Sequence, residues 1–262
     1  STAMTETGRV TSSDGTSIAF GRSGAGPALI AVDAAGSYRD FRPFPPPVEL
    51  LADDFTVYLY DRRGRGASTD THPYAIEREV DDLAALIAEA GGSAFVYAFS
   101  SGGLLALHAA ARGLAIPRLA LFEPPIEPAP APAGETGFTA ELAELVAAGR
   151  RREAVEFFHR GIGVPDEVMD QMTPPVWAAL EAVAPTLVYD CRLSDAMSLE
   201  VLRSVTVPTL VLDSQGSSAP ITGSAATVAG ALPDSTHRHL AGGWHGVPGE
   251  TLAPVLTGFF RS

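Results

Sequence analysis

Ser100 stands in the run Ala98-Phe99-Ser100-Ser101-Gly102-Gly103, with small residues two places before it and two after. An apolar stretch precedes the run and an Ala/Leu-rich stretch follows, so it reads as a strand–turn–helix elbow. Such a turn needs small neighbours, because larger side chains would collide as the backbone reverses. The bend aims the Ser100 hydroxyl away from the strand, as a nucleophile for acyl transfer. The Ser101 N–H opens the helix, where free amides and the helix dipole face developing negative charge. The plainer alternative is that Ser100 and Ser101 only cap a helix. His245 is the one histidine of six in a Gly-rich loop, Gly242-Gly243-Trp244-His245, just past a strand. Its imidazole is free there to approach Ser100 as a general base. His237 and His239 lie two apart on a strand and share a face. With no third ligand evident, they read as a half-exposed strand face, and no metal is expected. His108, on an apolar helix, reads as a core or interface residue, and His72 and His159 read as surface positions.

These side chains sit in loops that strands and helices must hold. Val10–Ser12 and Thr16–Gly21 flank Asp14-Gly15, a hairpin turn signal. Short apolar runs at 28–32, 55–60, 94–99, 118–122 and 209–213 read as strands, and 236–240 as a last one. Helical patterns occupy 48–52, 76–90, 101–111, 219–231 and 250–260. Between 124 and 206 the alternation breaks into a Pro/Ala loop and helical patterns at 140–148, 151–160, 166–172 and 176–183. Alternating strands and helices predict an α/β class, with a mostly parallel, doubly wound sheet. Ligands then bind beyond the carboxyl ends of the strands. The expected organisation is a core of residues 5–123 and 207–262, with a helical cap at 124–206 inserted after the sixth strand.

Composition narrows the function. The chain has 262 residues, 46% of them apolar and 19% charged, enough for a large core. All 18 basic residues are Arg, and there is neither Lys nor Asn, a composition suited to a GC-rich genome. A P-loop lysine, a Lys Schiff base and N-glycosylation are therefore excluded. The single cysteine, Cys191, excludes an internal disulfide and a Cys-cluster metal site. A net charge of −13 argues against nucleic acid and anionic membranes as partners. No apolar run approaches the length of a membrane span. Ser1-Thr2-Ala3 before Met4 reads as a cloning remnant. Ser1–Gly8 does not read as a signal peptide, so a cytoplasmic location is expected.

In order and spacing, several motifs together resemble the α/β-hydrolase family over nearly the whole chain. They are Tyr60-Asp61-Arg62-Arg63-Gly64-Arg65-Gly66-Ala67-Ser68, the elbow Ala98–Gly103, Phe122-Glu123-Pro124-Pro125, Val207–Leu212 and Gly242–His245. The resemblance to a small bacterial serine hydrolase implies Ser100 as nucleophile and His245 as base. The usual place for the acid, past the seventh strand, reads Ser214-Gln215-Gly216-Ser217 and holds no carboxylate. Glu123, ending the sixth strand as in a subset of the family, is preferred. Asp213 and a dyad without an acid remain open. The resemblance also implies an oxyanion hole from the amides of Ser101 and of Ala35 (or Ala34). The family's elbow usually has Gly where this chain has Ala98, and its oxyanion loop commonly has His-Gly where this chain has Asp33-Ala34. An ionised Asp33 would oppose an oxyanion, so it must point away, be neutralised by an Arg, or mark a reaction that builds none.

The other charged motifs have structural readings. Asp61–Arg65 is expected to brace loops through charged hydrogen bonds, and Arg150-Arg151-Arg152 to begin a solvated helix. Phe99, Trp177, Tyr189 and Trp244 are candidates to line an apolar pocket, Phe99 foremost, with Asp33 as a second substrate contact.

The expected function is a cofactor-free serine hydrolase for a small to medium, largely apolar ester, lactone or thioester, acting as a monomer or homodimer. A lyase, cyclase or cofactor-free oxygenase using His245 as base is the alternative chemistry. A non-catalytic ligand-binding homologue is a third reading.

Overall fold

A computed structural model describes residues 6–126, 131 and 134–262. Residue 5 and residues 127–130, 132 and 133, which the expected core and cap include, lie outside the described residues. So do Ser1-Thr2-Ala3 and part of the Pro/Ala loop.

Eight strands form one sheet: β1 Glu6–Thr11, β2 Ser17–Ser23, β3 Ala28–Val32, β4 Thr56–Tyr60, β5 Phe95–Phe99, β6 Leu119–Phe122, β7 Thr209–Ser214 and β8 Ser235–Leu240. Their spatial order is β1-β2-β4-β3-β5-β6-β7-β8. The pairs β1–β2 and β2–β4 are antiparallel, and all others are parallel. The expected mostly parallel, doubly wound sheet is therefore the one formed.

Each central strand is apolar on both faces because helices cover both. In β3, Ile30 and Val32 face one core, with α2 (Ile76–Glu89), α3 (Gly102–Ala111) and α10 (Ala219–Ala231). Leu29 and Ala31 face the other, with α1 (Val48–Leu51) and α11 (Gly249–Phe260). Between β6 and β7 the described chain is helical: α4 Gly137–Ala147, α5 Arg151–Gly161, α6 Asp166–Asp170, α7 Pro174–Ala182, α8 Leu187–Asp195 and α9 Leu199–Arg203. These helices build a third apolar cluster around Leu142, Phe158, Trp177 and Leu187, against which Ala35 and Phe41 pack. Helices α8 and α9 have no counterpart among the sequence expectations. Helix α8 is buried on both sides, with Leu187 and Val188 in the third cluster and Leu193 in the first. An apolar stripe with a polar back, the usual mark of a helix, is therefore missing. Among the described residues, no helix is long and apolar enough to cross a membrane.

The turn after β4 anchors the site's surroundings. The Asp61 carboxylate accepts the Arg39 and Ala67 amides at 2.7 and 2.9 Å. Fully buried Arg62 donates to Glu79 at 2.7 Å, to Asp190 at 2.8 Å and to the Asp33 carbonyl at 3.3 Å. Arg63 pairs with Asp82 and Asp14 at 2.7 and 2.9 Å. Burial works to raise the Glu79 carboxyl, but the charges of Arg62 and Arg65 and the hydrogen bonds from Arg62 and Tyr74 together outweigh it and hold the group down at about 2. Arg62 and its partners thus tie the end of β3 to α2 and α8, while burial raises the Asp82 carboxyl beside Arg63 to about 6. Arg150–Arg152 open α5 at the surface, as expected, with Arg152 over the Trp177 ring at 3.5 Å.

Candidate active site

Strand β5 ends at Phe99, and α3 begins at Gly102. Between them Ser100 has φ +50°, the left-handed region that non-glycine residues avoid. Its N–H donates to the Phe122 carbonyl at 2.8 Å, and its carbonyl accepts from Gly103 at 2.9 Å, so both sides of the bend are tied. Gly102 lets α3 approach β3. A Cβ there would lie 2.4 Å from the Asp33 carbonyl oxygen and 2.7 Å from that of Val32. Ala98 fits fully buried within β5, so alanine replaces glycine without opening the elbow.

Glu123 and His245 have the same unusual backbone, φ +48° and +54°. Such residues cost about 1–3 kcal/mol each and persist where the surroundings over-determine them. The surroundings here are specific. The Glu123 N–H donates to the Leu212 carbonyl at 2.8 Å, and its Oε2 accepts the Ser214 N–H at 2.9 Å. The His245 N–H donates to Ser217 Oγ at 2.9 Å, and Ser214 Oγ donates to the Gly243 carbonyl at 2.5 Å. The loops after β6, β7 and β8 are thereby joined into one frame.

Within that frame His245 lies between the other two. Its Nε2 is 3.1 Å from Ser100 Oγ, and its Nδ1 is 2.6 Å from Glu123 Oε1. The Glu123 side chain is wholly buried and that of His245 is 16% exposed. An ionised, acceptor-only Glu123 fixes the tautomer with a proton on Nδ1, leaving Nε2 to accept from the Ser100 hydroxyl. This arrangement can remove a proton from serine and return it elsewhere.

The sequence model of the Alpha/beta hydrolase family matches residues 23–255. The chain belongs to the alpha/beta hydrolase family. Among solved structures, the chain is similar to an alpha/beta hydrolase from Sphaerobacter thermophilus DSM 20745. The two are 46% identical over 97% of this chain and 100% of that one, with a TM-score of 0.86. It also shares its fold with the enol-lactonase from Burkholderia xenovorans LB400, at 20% identity, coverage of 97% and 100%, and TM-score 0.73. A thermophilic esterase from Thermogutta terrifontis matches at 22% identity, coverage of 98% and 97%, and TM-score 0.71.

The other residues expected in this alpha/beta hydrolase's site divide into groups. Asp213, the alternative acid, directs its two oxygens to His237 and His239, and it is Glu123 that meets His245 Nδ1. Asp33 does not stand free beside Ser100. It is paired with Arg42, whose Nη2 is 2.6 Å away, both side chains being 9% exposed. The Ala35 N–H points at the elbow but donates to Ser101 Oγ at 2.7 Å. Phe99 packs its ring 4.9 Å from that of His245. Trp244 is 52% exposed and lines a cavity; Trp177 packs within the third apolar cluster and lines another cavity beside Arg152, whereas Tyr189 stacks on Tyr74 and donates to Asp70.

Beside a smaller cavity lined by Phe44, Phe99, Phe122 and Gly243, two cavities adjoin the Ser100–His245 region. One of about 710 Å³ is lined by Arg42, Phe44, His159, Met172, Leu180 and Trp244. Its Phe44 ring lies 5.5 Å from both Phe99 and His245. The other, of about 520 Å³, is lined by Glu123, His245, Ile162, Met197 and Ile221. His159, expected at the surface, is thus half-buried at the edge of a cavity. Its Nδ1 donates to the Val155 carbonyl at 2.7 Å, one helical turn back, which folds the ring inward. Sequence reasoning also missed Arg42, Phe44, Ser214 and Ser217. The first two lie in a Pro-rich loop without periodicity, and the serines act through positions that only the assembled loops create.

Proposed function

We propose that the protein is a cofactor-independent serine hydrolase that cleaves a small to medium, largely apolar ester, lactone or thioester through an acyl-enzyme. The observation that carries this reading is the continuous contact Ser100 Oγ–His245 Nε2–His245 Nδ1–Glu123 Oε1, at 3.1 and 2.6 Å. Ser100 Oγ attacks the carbonyl carbon as its proton passes to His245 Nε2. Glu123 stays ionised and balances the imidazolium. The tetrahedral intermediate then collapses, and Nε2 gives its proton to the departing alcohol or thiol. Water, deprotonated by the same nitrogen, cleaves the acyl-serine and restores the hydroxyl.

The amides of Ser101 and Ala35 are proposed to hold the oxyanion. Ser101 stands before the first turn of α3, where no intrahelical carbonyl is available to its N–H. Residues 124–206 are proposed to act as a cap that selects substrate, with Leu180 and Met172 facing the cavity that Phe44 shares with the site. Pairing with Arg42 offsets the Asp33 charge, so the objection that an unpaired carboxylate raises to an oxyanion is removed. A cytoplasmic location belongs to the same proposal and rests on the buried, unpaired Cys191.

A second reading draws on one observation: the Ala35 N–H is donated to Ser101 Oγ. In a lyase, cyclase or cofactor-free oxygenase, His245 would act as base, Ser100 would only hydrogen-bond, and no oxyanion donor at Ala35 would be needed. Labelling with a fluorophosphonate, read by intact mass, separates the two. The hydrolase reading expects one adduct at Ser100 and turnover of p-nitrophenyl acetate and butyrate, both abolished in Ser100→Ala. A protein that stays unlabelled and inert to both esters overturns it.

A further inference from the structure

On the sheet's last parallel pair, Asp213 lies opposite His239, and Val211 lies opposite His237. Side chains of one parity share a face, so the register sets Asp213, His237 and His239 together. One ligand atom from each lies within 4.8 Å of the others. We propose that these three residues form a binding site for a divalent transition-metal ion of the zinc type, at the carboxyl end of the β7–β8 pair.

The carboxylate is the strongest argument. The Asp213 side chain is fully buried, and among the described residues no arginine pairs with it. Its Oδ2 lies 2.8 Å from His237 Nε2, and its Oδ1 is in close contact with His239 Nδ1. A buried carboxylate is costly unless a positive charge stands beside it, and a divalent ion would supply that charge where no arginine does. Two imidazoles and one carboxylate are a donor set that zinc-type ions accept, with a fourth position left for water. The access such a site needs is present, since the side chain of His239 is 60% exposed and that of His237 is 21% exposed. Ligand bonds of about 2.0–2.2 Å in a tetrahedron set donors roughly 3.3–3.5 Å apart. The carboxylate and imidazoles must therefore part by about 0.5–1 Å, a movement shared between the exposed His239 ring and the partly exposed His237 ring.

The site is separate from Ser100 and His245, and its test is independent of the proposed reaction. Protein stripped with chelator and titrated with Zn²⁺ in a calorimeter should take up one ion per chain and melt at a higher temperature. Co²⁺ in its place should give the visible absorption of a tetrahedral complex. His237→Gln and His239→Gln should each weaken Zn²⁺ binding at least about tenfold. His72→Gln, at an exposed position, should leave it unchanged. Failure of the stripped wild type to bind one Zn²⁺, or binding unaltered in both His237→Gln and His239→Gln, overturns the proposal. Both variants change side chains at the sheet's edge, and their folding is checked by circular dichroism.

Discussion

The hydroxyl of Ser101 accepts a hydrogen bond from the Ala35 N–H at 2.7 Å. One of the two amides proposed for the oxyanion is therefore already satisfied by the residue that carries the other. A substrate carbonyl must displace that hydroxyl to reach Ala35. A hydrogen bond of this kind has a net worth of about 0.5–1.5 kcal/mol, or about two- to tenfold in rate. Ser101→Ala removes the competitor and keeps the backbone. It should raise kcat/KM for p-nitrophenyl acetate by about two- to tenfold. A tenfold fall would show instead that the hydroxyl holds the Ala35 loop in its working position.

Glu123→Gln tests the proposed acid. The amide NH₂ of glutamine presents a donor to His245 Nδ1, which drives the proton to Nε2 and turns it toward Ser100. The wrong tautomer cannot take the serine proton. By analogy with the serine-protease triad, kcat should fall by about 10⁴ with KM little changed. A loss of less than tenfold in a folded variant would remove Glu123 from the orienting role.

Much of the architecture was legible because strands buried on both faces read as short apolar blocks, as in Ala28–Val32 and Thr209–Asp213. The first strand was less so. Glu6–Arg9 is polar and largely exposed, and only its pairing with β2, Glu6 to Arg22 onward, makes it a strand. Ser100, Glu123 and His245 were legible as chemistry-bearing residues just past strand ends. The choice between Glu123 and Asp213 as His245's neighbour was not, since it depends on which loop folds over the imidazole. His237 and His239 share a face by parity alone, but their third neighbour comes from the register of a different strand. Arg42 could not be matched to Asp33 because a Pro-rich loop carries no repeating signal to aim a side chain.

The Asp33–Arg42 pair gives a stability prediction. Arg42→Ala leaves a carboxylate 9% exposed with its guanidinium gone. Removing one member of a buried ion pair costs about 3–5 kcal/mol. Urea unfolding should show a loss near the lower end of that range, because some solvent reaches the pair. Hydrolysis should also fall, since the unpaired charge would then oppose the oxyanion. Asp33→Asn combined with Arg42→Ala should recover most of both losses. Additive losses in the double variant would contradict the pairing argument.

His108 predicts the direction of an acid transition. Its Nε2 donates to the Leu193 carbonyl at 2.9 Å, and Nδ1 faces Arg112 at 3.3 Å, so the neutral ring fits both neighbours. Burial, with Arg112 adding to it, pushes its pKa below the usual 6.5, and burial lowers that of His159 likewise. A histidine that binds its proton more weakly when folded contributes full stability above about pH 6.5 and loses it as pH falls below that value. The histidine part of the unfolding free energy should therefore decline between pH 7.5 and 5, set against buried Asp82, whose carboxyl is raised to about 6 and gains stability as pH falls through that value. In His108→Gln, which keeps a donor for Leu193 and cannot titrate, the decline should be shallower. Equal declines would mean that His108 is not among the groups responsible.

Gly102 and Gly103 are neighbours in the first turn of α3, yet alanine should act oppositely at the two. In a helix interior, alanine is better than glycine by about 0.5–1 kcal/mol. At Gly103 the new Cβ would meet Leu121 at 3.4 Å and Pro124 at 3.5 Å, ordinary contacts, so the helical gain should survive. At Gly102 it would meet the carbonyl oxygens of Asp33 and Val32 at 2.4 and 2.7 Å. Both are backbone atoms at the end of β3 and cannot swing aside. Overpacking of this kind costs about 1–3 kcal/mol, more than the helix gains. Gly102→Ala should therefore lower the melting temperature and, by pushing Ala35 away from Ser101, reduce ester hydrolysis. Gly103→Ala should raise the melting temperature slightly. A Gly102→Ala protein as stable as the wild type would mean that α3 does not sit against β3 as closely as the elbow requires.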